Sequence, residues 1–100
     1  TANITVLTEY DQNYTSLVTT LQKWANKLYE LGDMTHAKIV LEYAVSVRSD
    51  VTATYLLLAA IYSQSGLSER IPELISAAEK LTGTSGKIIL RKLQETYPSL

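Results

Sequence analysis

LQKWANKLYELG (residues 21–32) and YLLLAAIYSQSG (residues 55–66) decide the fold. Each stretch carries a bulky residue, another three positions on, a small residue directly after, and a third bulky one three further. These are Leu21, Trp24, Ala25 and Leu28, then Tyr55, Leu58, Ala59 and Tyr62. Steps of three and four mark one face of an α-helix. Each stretch closes on a glycine, Gly32 and Gly66, the residue that most readily takes the left-handed backbone at a helix end. The two stretches lie 34 residues apart. The same shift sets Ala44 on Ala78 and Leu41 on Ile75, and a second shift sets Tyr55 on Ile89 and Ala59 on Leu93. The segment after Gly83 therefore reads as the first helix of a third unit.

Upstream of Leu21 the apolar line continues through Ile4, Leu7, Tyr14 and Val18, with Asp11 in one slot, and runs on to Ala25 and Leu28. A second line at Tyr10, Leu17, Trp24 and Leu31 widens the stripe. No Gly or Pro interrupts it, so the pattern predicts one long helix from about Asn3 to Leu31, although its Thr-rich start has poor helix propensity. Gly32 and Asp33 supply a stop and an N-cap, and Met34 to about Val47 forms the second helix, with Ala37, Val40, Leu41, Ala44 and Val45 on one face. Ser49 and Asp50 are expected to cap a third helix, Val51 to about Ser65. Ser68 is expected to cap a fourth reaching about Leu81, with Pro72 in its first turn, where the missing N–H costs least. Gly83 breaks the chain, and Ser85 is expected to cap a last helix ending at Tyr97, before Pro98. The expectation is all-α: five helices whose very short turns make neighbours antiparallel.

A 34-residue helix–turn–helix unit with this pattern resembles the tetratricopeptide repeat family, an α-solenoid. The second-helix part of the pattern, a small residue followed four later by a bulky one, reads Ala37 and Leu41. Its counterpart, Ile71 and Ile75, departs by having Ile in the small position. The family's closing Pro is missing, since Ser49 and Gly83 stand there. The resemblance covers Val18 to Tyr97 and divides the single domain into an N-terminal extension of the first helix (1–17), two repeats (18–51 and 52–85) and a capping helix (86–97). Small residues at Ala25, Ala44, Ala59 and Ala78 let helices approach, and Trp24, Leu28, Leu41, Leu58, Tyr62 and Ile75 are expected to fill the space between them. Such units bury their apolar faces only by stacking. With two repeats and one further helix, the long first helix is expected to add burial, by capping one end or by pairing with another chain.

Composition narrows the function. The chain has 100 residues, 46% hydrophobic and 19% charged, an ordinary globular balance for one domain. A formal net charge of −1 creates no positive field for nucleic acid or anionic lipid. Cysteine is absent, which removes disulfides and thiolate chemistry but fixes no compartment. No run approaches the roughly 20 apolar residues of a membrane span, so no direct membrane insertion is expected. The chain opens at Thr1 rather than Met, as an excised or processed piece would, so localisation stays open between cytoplasmic and, behind an upstream signal or anchor, extracytoplasmic.

Signs of catalysis are thin. His36 is the only histidine and is expected at the surface in the first turn of the second helix, with no second His or Cys to build a metal site or nucleophilic pair. Glu69 and Glu73 lie one turn apart at a helix start, where the helix dipole already accounts for them. Gly83-Thr84-Ser85-Gly86 lacks the rest of a phosphate-binding loop. Asn3-Ile4-Thr5 and Asn13-Tyr14-Thr15 match the three-residue glycosylation pattern, which arises often by coincidence. No enzyme activity, metal or cofactor is expected. Tyrosine is the unusual component, seven against no Phe. Tyr43, Tyr55 and Tyr62 are expected to stand in for core aromatics, while Tyr29 falls beside Leu28 on a different face.

In the resembling family the first helix of each unit lines a concave groove that binds a protein or peptide partner. Carried over by position, that groove takes Thr19, Gln22, Lys23, Asn26, Tyr29 and Glu30 from the first unit. The second unit supplies Ala53, Leu56, Leu57, Ala60 and Ser63, and the last helix Lys87, Leu90, Arg91 and Gln94. Some family members grip a partner's C-terminal carboxylate with Lys, Asn, Asn, Lys and Arg. Asn26, Lys87 and Arg91 match three of those places, while Gln22 and Leu57 break the other two. The alternative expectation is structural self-association, a homodimer formed through Ile4, Leu7, Tyr14 and Val18 of the extended first helix.

Overall fold

The turn after Gly32 and the turn after Gly66 are closed by the same pair of backbone hydrogen bonds. Gly32 N–H donates to the Tyr29 carbonyl (3.0 Å) and Asp33 N–H to that of Leu28 (2.9 Å). Gly66 N–H donates to Ser63 (3.5 Å) and Leu67 N–H to Tyr62 (2.7 Å). Both glycines hold positive φ, +81° and +75°, the backbone of a left-handed helix terminator. The repeat seen in the sequence is thus a repeat of backbone geometry.

These turns belong to a computed structural model that describes the backbone of residues 2–98 and the side chains of residues 14–98. Five α-helices follow in order: α1 (Ala2–Glu30), α2 (Met34–Ser46), α3 (Thr52–Gln64), α4 (Ile71–Glu79) and α5 (Thr84–Thr96). No strand occurs among the described residues. Contacts run between neighbours, α1 on α2, α2 on α3, α3 on α4 and α5, and α4 on α5. The result is an elongated slab of 50 × 29 × 15 Å, the all-α arrangement of antiparallel hairpins that the spacing predicts.

Small residues sit at the closest contacts. Ala25, Ala37, Ala44, Ala59 and Ala78 are all buried, with Leu41, Tyr55, Leu58, Tyr62, Ile89 and Leu93 packed around them. Gly86 has the same role at the α4–α5 crossing, where a Cβ would come within 2.8 Å of the Ala78 carbonyl oxygen.

Several local expectations need correction. Asp33 does cap α2, accepting from His36 N–H at 3.2 Å. Ser49 does not cap α3: the N-cap is Val51, whose N–H donates back to Ser49 Oγ at 3.1 Å. Ser68 heads a 3₁₀ turn, Ser68–Arg70, that passes into α4 with Pro72 in its first turn. That helix ends at Glu79, because the Leu81 N–H closes a tighter bond to Ala78 (3.1 Å). Ser85 lies inside α5, whose N-cap is Gly83 at φ +79°. Trp24 and Tyr43 are not core residues but stand exposed, Trp24 at 57%. Only one edge of the widened stripe on α1 has a helix to pack against.

Candidate interaction surface

The first helices of successive units are tied by polar side chains as well as by packing. Thr54 Oγ1 donates to Gln22 Oε1 at 2.7 Å, and Gln22 Nε2 donates to Asn26 Oδ1 at 2.8 Å. Farther along, the Tyr29 hydroxyl and the Gln64 carboxamide meet at 3.1 Å. Gln22 is therefore no groove ligand. It is 8% exposed and joins α1 to α3. A polar side chain at this depth stays there only if its hydrogen bonds are met, and here they are.

The other groove positions divide into a floor and flanks. Leu56 and Leu57 of α3 and Leu90 of α5 are half-buried against the core, and Ala60 is half-buried beside them. The two helices that carry them, α3 and α5, are in contact. Lys23 and Asn26 on α1, and Lys87 and Arg91 on α5, are exposed on either side of α3. Thr19, Glu30, Ala53 and Ser63 are exposed too, and Tyr29 is half-buried against the core. Arg91 makes a loose ion pair with Glu95 (3.9 Å) on its own helix, an exposed contact of little energetic weight. Gln94 lines a cleft of about 400 Å³ with Ile75, Tyr97 and Pro98.

Two of the four residues expected to self-associate, Tyr14 and Val18, are engaged within the chain. Val18 is buried within the chain, and the Tyr14 hydroxyl donates to the carbonyls of Val47 (2.8 Å) and Arg48 at the end of α2. Both belong to the α1–α2 hairpin rather than to an outer face. Ile4 and Leu7 lie outside the described side chains.

On the opposite flank, Glu42 of α2 gathers two partners. The Tyr62 hydroxyl donates to its Oε2 at 2.6 Å, Arg70 Nη1 pairs with the same oxygen at 3.0 Å, and the guanidinium lies 4.9 Å from the Tyr62 ring centre. Burial, then the hydrogen bond to Glu42, push the Tyr62 hydroxyl far above the usual range, so it stays a donor. Burial likewise raises the Tyr55 hydroxyl to about 12, and it donates to the Ser49 carbonyl at 2.7 Å. His36 is exposed and faces Asp33, Nδ1 to Oδ2 2.7 Å. Bonds from the His36 N–H and ring hold the Asp33 carboxyl below its ordinary value. Among the described residues no group of three or more His, Cys, Asp and Glu is gathered as a metal site, and no helix is long and apolar enough to cross a membrane.

The chain matches no family model, no curated protein and no solved structure. Its surface must speak from its own chemistry. One part of that surface escaped the sequence reading: Leu17, Trp24 and Leu31 of α1 are exposed together. Their seven-residue spacing was visible in the sequence, but which edge of the stripe a helix covers was not.

Proposed function

We propose that this chain is a non-enzymatic interaction module of the tetratricopeptide type, which takes an extended or helical peptide along the face formed by α1, α3 and α5. What carries the proposal is that half-buried Leu56, Leu57 and Ala60 of α3 and Leu90 of the contacting α5, which we read as one strip, accompany the exposed polar and basic groups of Lys23, Asn26, Lys87 and Arg91. An apolar centre with a polar rim is the usual anatomy of a protein-binding surface. The recurrence of one hairpin at 34 residues supports the repeat assignment. With Gln22 engaged by Thr54, the flanking donors favour backbone carbonyls or acidic side chains of a peptide over a tightly clamped terminal carboxylate.

A displayed peptide library selected on the immobilised chain tests this reading. Enriched peptides should bind in the micromolar range and lose binding to Leu56→Glu and Leu90→Glu variants that keep the parent circular dichroism. Binding unchanged by both substitutions would place the ligand elsewhere and overturn the proposal.

A further inference from the structure

Tyr14, Leu17, Leu21, Trp24, Leu28 and Leu31 alternate steps of three and four along α1, the spacing of a helix that packs on others through a heptad seam. Half of that seam is filled. Leu21 is buried and Leu28 half-buried, and Tyr14 is bonded to the end of α2. The other half, Leu17, Trp24 and Leu31, is exposed, Leu31 at 69%. The internal repeat says what such a position ordinarily meets. The counterpart of Trp24 is Leu58, 1% exposed, which lines a crevice between Glu42, Val45 and Ser46 of α2 and Glu73 and Leu74 of α4. The Trp24 face is thus the equivalent face of the first unit, and among the described residues no hairpin lies on it.

We infer that a second copy of this chain covers that face, its α1 antiparallel to the first with the two-fold axis at Trp24. The line is symmetric about that residue, with a leucine seven positions away on either side. Antiparallel pairing about Trp24 therefore sets Leu17 of each copy against Leu31 of the other and the two indoles together. This is the self-complementarity an isologous contact requires. The line itself carries no charged residue, and exposed Lys27 borders it between Trp24 and Leu31. Leu17, Trp24 and Leu31 together expose roughly 350 Å² per copy, so a two-fold contact through them buries about 700 Å², the size of a weak, reversible association. This face is separate from the α3–α5 strip, and the inference holds whatever that strip binds.

Trp24 is the sole tryptophan, so its emission reports the contact directly. Sedimentation equilibrium between about 1 and 500 μM should show a monomer–dimer equilibrium, with Trp emission moving to shorter wavelength as dimer forms. Because Trp24 is exposed in the single chain, Trp24→Glu should keep the parent circular dichroism and melting curve while weakening the dimer about 50-fold or more, and Trp24→Phe should retain dimer. Orientation is read from cysteine variants, since the chain has no native cysteine. A mixture of Leu17→Cys and Leu31→Cys should cross-link between the two variants on oxidation. Cross-linking of Leu17→Cys chiefly with itself would overturn the antiparallel arrangement. A monomer at 500 μM with water-exposed Trp emission would overturn self-pairing and leave the face to a different helical partner.

Discussion

Gln22 and Thr54 meet at 2.7 Å, both buried, and their bond links the first helices of two successive units.

Thr54→Val removes one partner and leaves the Gln22 carboxamide oxygen buried without its donor. Loss of about 1–2 kcal/mol is expected, and Gln22→Leu with Thr54→Val should recover part of it, because replacing both partners costs less than orphaning one. Urea denaturation of the two single variants and the double variant measures the coupling. Additive losses would show that the pair contributes no joint stabilisation.

Arg48 closes α2 as glycine closes α1 and α3. Its φ is +61°, with its N–H on the Val45 carbonyl (2.9 Å) and the Ser49 N–H on that of Ala44 (3.0 Å). A side chain at this backbone angle is strained, so Arg48→Gly should stabilise the fold by about 1 kcal/mol. A rise in melting temperature checks it, and a fall would mean that the guanidinium makes a compensating contact.

Gly86 gives the opposite sign. Alanine is the better helix former, yet its methyl would sit 2.8 Å from the Ala78 carbonyl oxygen. Gly86→Ala should cost about 1–3 kcal/mol by forcing α5 off α4. Thermal unfolding of Gly86→Ala beside an exposed control such as Lys92→Ala separates crowding from propensity.

The pH profile has two shoulders. The Asp33 carboxyl is depressed in the fold by the His36 N–H and ring, so its cap is complete above the unfolded-state value near 3.8 and is lost as pH falls through the lower folded value. Tyr55 is raised from 10.0 to about 12, so its contribution is complete below pH 10 and falls as pH rises towards 12. The Tyr62 hydroxyl, raised further, loses its contribution over the same alkaline range, so the two tyrosines share the loss. Chemical denaturation from pH 8 to 12 should show it in the parent, with a smaller slope in Tyr55→Phe.

Helices and hairpin stops were legible because period and glycine report local backbone geometry, as Gly32 and Gly66 do. What sequence could not assign was which of two adjacent apolar lines on α1 would find a partner. Trp24 and Leu28 satisfy the same periodicity, but α2 reaches only the Leu28 side. Gln22 escaped for the converse reason: its position in the unit places it on the groove, and a hydroxyl one unit away, invisible to local pattern, draws it inward. Arg48 carries no turn signal, since its left-handed backbone is imposed by the helices on either side.

The slab's nearest-neighbour packing bears on how the molecule opens. α3 is flanked by α2 on one side and by α4 and α5 on the other, whereas α1 leans chiefly on α2. Amide protons should exchange slowest along α3, and protection should fade towards both ends as terminal helices peel away singly. Anything that clasps the open side of α1 would abolish that gradient on one side, converting a molecule that unravels from both ends into one that unravels from α5 alone.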